Sequence, residues 1–513
     1  MRTLATTISL LGILAVLGLA APASAQVFDE TTISFSFADD NVLRDPGETR
    51  RNSPDAYFGQ GDISSLDRVE GSAKRRTASR LSVYKNCETG ALYPEGGLRV
   101  KFSPDSDGQY GFADDGTFLK LNYVIDKEKL LFLQLYPIDS DKMRVGYHYD
   151  ITWGGSSVFP KNFRKGLVPG LKLAYDSKVF DAFVGMKTAL IRSPSETILD
   201  NPGGNTNQFV ERAYYGAMAG FGVEPITGLR LDISGGYFEK GNNTRSSVLG
   251  KKIYSGGGSA QLSYRYGGEV GQRMDLRLYY EDPERFPLND PDRYSDDFGF
   301  EVAVEYTRVI QTLEDPDHYA STKNEWSNAG FASLGIRWQK LRFLANAVYR
   351  DLSYVVFNVP GFVPYQALSS DADITPELFG VVSVDYFFQS LGLTPALSFG
   401  VLLPATYMPS VDGSTLEGPY AADVAKGIQK TVVRGSNSGD WDILPAGEDE
   451  LPVLMVKFDI KYNLGENFSV VGEVTYARDS NTAQVFIDDM GHARRRFDKP
   501  DILGFGLVTE LYF

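Results

Sequence analysis

Hydrophobic and polar residues alternate with a period of two from about residue 30 to the end of the chain, the pattern of half-buried strands. Between 454 and 462, Leu454, Val456, Phe458, Ile460 and Tyr462 share one face, and Met455, Lys457, Asp459 and Lys461 share the other. The stretch 468–476 repeats the pattern after the turn Asn463-Leu464-Gly465-Glu466-Asn467. Met274, Leu276, Leu278 and Tyr280 oppose Asp275, Arg277, Tyr279 and Glu281. Val145, Tyr147, Tyr149, Ile151 and Trp153 oppose Arg144, Gly146, His148, Asp150 and Thr152. Further segments cover 119–125, 171–175, 229–237, 262–266, 298–306, 334–338, 341–349, 382–388 and 397–401. About 20 candidate strands of roughly 8–12 residues result, close to the length of a tilted strand that crosses a bilayer. Strands of soluble sheets run nearer 5–6 residues. Helical periodicity is arguable only at 417–430.

One face of these strands repeats Leu, Val, Phe and Tyr, while the other carries charges of both signs. That is the pattern of lipid outside and a polar lumen inside. Aromatic residues gather toward strand ends at Tyr147/Tyr149/Trp153, Tyr279/Tyr280, Trp338, Tyr386/Phe387/Phe388 and Tyr512/Phe513, as interfacial girdles require. Connections are uneven. Gln339-Lys340, 463–467, Ser390-Leu391-Gly392 and Gly267–Gly271 are short. The stretches 192–208, 282–297, 312–327, 353–374, 405–450 and 478–500 are long and polar. The alternation slips near 126–142 and 282–297. The expectation is an all-β chain: a single antiparallel transmembrane β-barrel of about 18 strands, range 16–20, with long extracellular loops. Residues 38–77 are expected to be a long first loop or a small hatch.

Composition narrows the functions. The chain of 513 residues has one Cys, which excludes a disulfide framework, and three separated histidines, His148, His318 and His492. A formal net charge of -15 argues against general nucleic-acid binding. The N-terminus has Arg2, the apolar run 8–20 and then Ala23-Ser24-Ala25, the parts of a cleaved signal peptide. Residues 1–25 are therefore expected to be removed, leaving 26–513 as the barrel. After Gln26 no apolar stretch approaches 18 residues, so no membrane helix is expected.

The chain ends Gly504-Phe505-Gly506-Leu507-Val508-Thr509-Glu510-Leu511-Tyr512-Phe513, an alternating strand that stops on an aromatic residue. With the leader and the strand series, this resembles bacterial outer-membrane β-barrel proteins of the porin-like class. The resemblance implies localisation in a bacterial outer membrane. It also implies an assembly signal in Leu511 and Phe513, read by the barrel-assembly machinery, and contact with outer-membrane lipid and lipopolysaccharide. A homo-oligomer is left open.

Candidate chemistry is sparse. No nucleophile elbow or HExxH motif is present, and three distant histidines assemble no catalytic geometry, so no enzyme, cofactor or metal is expected. His148 is expected to bond to Asp150 on the inner face. Arg494-Arg495-Arg496 falls in the last outer loop, where lipopolysaccharide phosphates or water would meet it. The expected lumen-lining residues are Arg144, His148, Asp150, Arg230, Asp232, Arg277, Arg337, Arg342, Arg350, Lys457, Asp459 and Lys461. Basic residues outnumber acidic ones on the full projected inner face, which favours anions. The function expected is a porin or channel for passive passage of polar solutes. The alternatives are a non-conducting barrel whose loops bind a partner, such as an adhesin or assembly protein, and a polysaccharide export barrel.

Overall fold

A computed structural model describes residues 30–39, 41–43, 72–81, 92–104, 110–114, 116–126, 129–148, 151–159, 164–177, 179–194, 209–243, 246–267, 270, 297–356, 367–408, 429–433, 441–465, 468–491 and 493–512. Twenty strands form one sheet. β1 (Glu30–Asp39) pairs with β2 (Ser72–Leu81), and β2 with β3 (Leu92–Pro104). The two ends of β3 take β4 (Tyr110–Asp114) and β5 (Phe118–Asp126). β5 pairs with β6 (Lys129–Tyr136). β7 (Arg164–Lys165) and β8 (Gly170–Ser177) both lie against β9 (Phe180–Pro194), and β8 also pairs with β6.

From there each strand pairs with the next one round. β9 is followed by β10 (Phe209–Ile226), β11 (Leu229–Asn242) and β12 (Lys252–Tyr266). β13 (Gly299–Glu314), β14 (Thr322–Trp338) and β15 (Leu341–Arg350) come next. β16 (Asp373–Thr375) stands outside this sheet, and β15 pairs with β17 (Glu377–Tyr386). β17 pairs with β18 (Leu393–Leu403). β19 (Ala405–Met408), β20 (Thr431–Val433) and β21 (Trp441–Ile443) join β16 in a separate four-stranded sheet. β18 pairs with β22 (Val453–Asn463), and β22 with β23 (Phe468–Arg478). β24 (Ala483–Ile487) and β25 (Ala493–Phe497) make a lone hairpin. β23 pairs with β26 (Asp501–Tyr512), and β26 returns to β1 with Thr32 opposite Tyr512 and Asp39 opposite Phe505. All of these pairings are antiparallel.

The burial pattern is inverted relative to a water-soluble sheet. Along β22, Leu454, Val456, Phe458 and Tyr462 are exposed, while Met455, Lys457, Asp459 and Lys461 are buried. β17 does the same, with Leu378, Val382, Val384 and Tyr386 outside and Glu377, Ser383 and Asp385 inside. A belt of exposed Leu, Val and aromatic side chains this extensive is untenable in water, where contiguous apolar patches exceed a few hundred Å² only at binding surfaces. In hydrocarbon it is the stable arrangement. Trp338, Tyr386, Phe388 and Tyr462 stand exposed at the end with short turns. Toward the other end, the hydroxyls of Tyr306, Tyr349 and Tyr476 donate to Asn328, Asp351 and Asp501 at 2.7, 2.6 and 2.5 Å. About eight residues at ~3.3 Å each, tilted ~40°, separate the two aromatic levels by ~20 Å, a little under the ~25 Å apolar band of outer-membrane barrels. A charge placed between them should be costly. Phe458→Arg is expected to lose about 2–4 kcal/mol of folding stability in lipid vesicles, measured by urea titration. Phe458→Leu should lose far less.

Several expectations shift. The stretch 145–153 is no strand: it carries one isolated bridge, Val145 to Trp153, inside a segment that folds inward. Trp153, expected in a girdle, is 2% exposed in the interior core. Its apparent alternation arises because Val145, Ile151 and Trp153 all point into one apolar cluster. β12 pairs directly with β13, so residues 267–298 connect two neighbouring strands of the sheet. The expected strand at 274–280 lies outside the described residues, as does the loop at 282–297 apart from Asp297. The loop at 312–327 is shorter than expected, because β13 runs to Glu314 and β14 starts at Thr322. The stretch 405–450 contributes three strands of the separate sheet, and 478–500 contains the β24–β25 hairpin. Of the expected first loop or hatch, Ala38–Asp39 belong to β1 and Ser72–Thr77 to β2. The interval 44–71, residues 417–428 and the leader lie outside the described residues. Among those described, no helix is long and apolar enough to cross a membrane.

Candidate functional site

The interior has two parts: an inward segment between β6 and β8, and a charged wall that begins on β14. The inward segment starts at Pro137 and rejoins the sheet through Val168. Its backbone turns sharply at Gly146, φ +97°, and Gly154, φ +78°. A Cβ at Gly146 would sit 3.0 Å from the Glu305 carboxylate and 3.2 Å from Thr152 Cα, so both conformation and space call for glycine. Met143, Val145, Ile151, Trp153, Val158 and Phe159 are buried and pack against Met218, Phe238 and Phe331 from the strands. Trp153 meets Phe238 edge-on at 5.4 Å.

Strand side chains hold this segment by its backbone. Lys187 on β9 is 1% exposed, and its Nζ donates to the carbonyls of Ser140 (3.0 Å), Met143 (2.7 Å) and Gly154 (2.7 Å). Glu305 on β13 accepts from the peptide N–H groups of Tyr147 (2.9 Å) and His148 (2.6 Å), and from the Ser259 hydroxyl. Ser234 Oγ accepts from Gly146 N at 3.0 Å. From the outer side, the Tyr354 hydroxyl donates to the carbonyl of Ile151. Buried backbone groups need partners, and here the partners come from side chains of the sheet instead of strand pairing.

Within the segment, Asp141 Oδ1 accepts from Ser156 N at 2.8 Å, and its other oxygen pairs with Arg144. Burial alone would raise the Asp141 carboxyl. The Arg144 guanidinium beside it overrides burial, with Lys187 and Lys142 adding to the effect, and holds it well below the usual carboxylate range. A depressed carboxylate contributes stability that is complete above its unfolded value near ~3.9 and is lost as pH falls through the folded value. Acidification below about pH 3 is therefore expected to loosen the segment. The check is the Trp153 contribution to fluorescence, taken against Trp153→Phe. It should shift to the red in acid, and Asp141→Asn should show that shift at neutral pH.

The charged wall spans β14 to β23. Arg337 and Arg342 are cross-strand neighbours, each 1% exposed. Arg342 donates to Asp385 from Nε at 2.8 Å, with Nη2 at 2.7 Å. Lys457 lies 3.1 Å from Glu473 and 3.6 Å from Asp459. Lys461 is buried on the same strand face. Arg350 reaches Glu377 at 2.7 Å nearer the long loops. On β11, the Arg230 guanidinium donates to Asp232 at 2.9 Å and also to Asp181. Arg342–Asp385, Arg350–Glu377 and Lys457–Glu473 thus pair opposite charges across neighbouring strands, while Arg230 meets Asp232 on its own strand and Asp181 two strands away; pairing is what makes burial of either charge tolerable.

The expected residues divide as follows. Arg337, Arg342, Lys457, Asp459, Lys461 and Asp232 are buried on the inner face, and Arg230 and Arg350 are partly exposed beside their carboxylates. Arg144 sits in the inward segment instead of on a strand. His148 does too, with its ring stacked on Phe331 at 3.3 Å between centroids. Asp150, Arg277 and Phe513 lie outside the described residues; Leu511 pairs with Ile33 and Phe468. Sequence reasoning missed Glu377, Asp181 and Lys240. Glu377 heads an alternating strand whose outward Gly380 blurs the apolar period.

The expected excess of basic lumen charge has no counterpart among the fully buried described residues. Lys120, Lys187, Lys240, Arg337, Arg342, Lys457 and Lys461 are matched by Asp232, Glu305, Glu377, Asp385, Asp459, Glu473 and Asp479. The projection had omitted Glu377, Lys240 and Asp479. Among the described residues no group of His, Cys, Asp and Glu could hold a metal ion. His318 bonds Asp315 at 2.9 Å in an exposed loop, and His492 lies outside the described residues.

No family model matches the chain, and no curated protein does. Solved structures resemble it at low identity. Pseudomonas aeruginosa OccK3 (OpdO) is 10% identical over 94% of each chain, with a TM-score of 0.42. Pseudomonas aeruginosa OpdQ is 12% identical over 94% of this chain and 96% of that one, at 0.40. The outer membrane protein OprD from Pseudomonas aeruginosa is 9% identical over 96% of each chain, at 0.39. The fold described above stands on strand pairing and burial, and not on these likenesses.

Proposed function

We propose that the chain is a bacterial outer-membrane channel for passive passage of small polar solutes. Its sheet is read as a closed barrel of eighteen strands, in which β4 with β5, and β7 with β8, each count as one interrupted strand. The antiparallel contact of β26 with β1 supports closure, and the even number agrees with bacterial single-chain barrels. The start of β1 and the end of β26 lie at the end with short turns, which is the periplasmic end in such barrels. Residues 1–25 serve as the cleaved leader, and Leu511 and Phe513 as the assembly signal.

The observation that carries the function is the inner face: paired, buried charges on the strands, and an inward segment held by strand side chains, behind an exposed apolar outer face. A surface adhesin needs neither. Side chains this buried are closed off from solvent, so the water-filled part of the interior beside them is narrow and small solutes are the fitting cargo. With buried charges matched in sign, the passage discriminates weakly between anions and cations. The chain is non-enzymatic on this reading.

Swelling of proteoliposomes tests the proposal. Small neutral, anionic and cationic solutes are expected to enter at rates within a few-fold of one another, and larger sugars are expected to be excluded. Protein-loaded vesicles that swell no faster than empty ones would overturn it. Entry of one charge class alone would overturn the matched-charge account.

A further inference from the structure

We propose that one helical turn, α1 (Leu352–Val355), is a latch through which the folded long connections set the inward segment. The connections after β15 and β18 build a small core of their own at the long-loop end. Leu352 and Val355 are buried in it beside Leu368, Ala405 of β19 and Val433 of β20. Tyr354, on the same turn, is buried in the other cluster, with Ile151, Trp153 and Phe331. Its hydroxyl donates to the Ile151 carbonyl of the inward segment. One turn therefore belongs to two separate cores.

The turn has a fixed base. Asp351 precedes it, and its carboxylate accepts from the Asn328 peptide N–H at 2.8 Å and from Asn328 Nδ2 at 2.6 Å, both on β14. The outer core is tied to the same β13–β14 hairpin, because Lys323 Nζ donates to the Leu368 carbonyl at 2.8 Å and Ala367 N to the Glu314 carbonyl at 2.9 Å. The turn's own backbone bonds are few. The N–H groups of Tyr354 and Val355 reach the Asp351 carbonyl at 2.9 and 3.0 Å, and that of Val356 reaches the Leu352 carbonyl. A single turn does not persist by itself, because fixing its dihedrals gains little hydrogen bonding. It stands while both cores hold it. Losing the outer core lets it unwind from its base, and Tyr354 then leaves Ile151. Wound and unwound are the two arrangements that both clusters bias, so the coupling is reciprocal. Displacing the outer sheet would thereby release the inward segment and widen the passage. That last consequence rests on the channel reading, and the coupling itself does not.

The test is amide hydrogen exchange of the full chain in nanodiscs, read at 145–153 and at the outer strands 405–408 and 431–433. The amides of Val145, Ile151 and Trp153 are bonded to the carbonyls of Trp153, His148 and Val145 at 2.8, 3.1 and 3.0 Å, so release of the segment exposes them. Tyr354→Phe removes the hydroxyl alone, and Leu352→Ser/Val355→Ser removes the outer seat alone. Each should raise exchange at 145–153 at least tenfold, and the combined variant should raise it no further than about twofold beyond either, because both act through one turn. Tyr354→Phe should also raise exchange at 405–408 and 431–433 several-fold, although its hydroxyl bonds to neither strand. Heat-modifiable gel migration should be unchanged. Wild-type exchange at 145–153 in Leu352→Ser/Val355→Ser would overturn the proposal, as would a combined variant in which the two increases multiply. Unchanged outer strands in Tyr354→Phe would reduce the contact to a local bond and overturn it as well, and that result decides even where the serine variant fails to assemble. Silence in planar bilayers beside a non-additive exchange cycle would sink the channel reading and keep the latch. Independent exchange effects beside normal conduction would do the reverse.

Discussion

Replacing Lys187 with Met is expected to release the inward segment. The ammonium group donates to three carbonyls of that segment from a fully buried position. Met fills similar space but donates nothing, and each abandoned buried acceptor costs about 1–3 kcal/mol. The combined loss, about 3 kcal/mol or more, is expected to exceed the net margin left once the segment's apolar contacts are set against its regained conformational freedom. The strands themselves lose no pairing, so the barrel should keep its heat-modifiable migration. Two readouts are expected to move together. Trypsin should cut within 142–165 at Lys142, Arg144, Lys161, Arg164 or Lys165, and single-channel current should rise several-fold. Glu305→Gln keeps one acceptor oxygen for the peptide N–H groups of Tyr147 and His148, so its effect should be smaller and in the same direction. Unchanged proteolysis and current in Lys187→Met would show that packing around Trp153 and Phe238, and not the ammonium, holds the segment.

The second large effect concerns Arg342 and Asp385. Both are 1% exposed at the side chain, so breaking the pair strands one charge in a low-dielectric interior. Arg342→Met alone and Asp385→Leu alone are each expected to cost about 3–5 kcal/mol, whereas the double variant should recover most of that loss. Urea unfolding of all four proteins in vesicles gives the cycle. Additive losses would mean that the two groups are stabilised by other neighbours and that the pair has no special role. Lys457 with Glu473 is the matching control at 3.1 Å.

The strand wall was legible because lipid and lumen impose opposite chemistry on adjacent residues. At Lys457, Asp459, Lys461, Arg337 and Arg342 a polar residue between apolar neighbours points inward, and period two alone identifies it. Register is secure there, since a slip of one residue in β22 would place three charges in lipid. The inward segment was not legible for the same reason. Val145, Ile151 and Trp153 alternate by coincidence with the strand period, and nothing local states that they pack on Phe238, far along the chain. Gly146 and Gly154 were the available signals, because glycine within a strand pattern often marks a turn or a close approach. The buried set is even in charge mainly because Arg144, Lys172, Arg230, Arg265 and Arg350 of the projected face are only partly buried, while Glu377, Lys240 and Asp479, which lie at strand ends where period two fades into loop sequence, join it.

Conductance across a planar bilayer, recorded for the wild type and for a chain with 142–166 replaced by a short Gly-Ser linker, tests the central claim most directly. The wild type should give discrete steps of uniform small size, and the shortened chain should give steps several-fold larger with the same weak charge preference. Silence from both proteins, with heat-modifiable migration intact, would contradict the claim that this barrel is a channel narrowed by its inward segment.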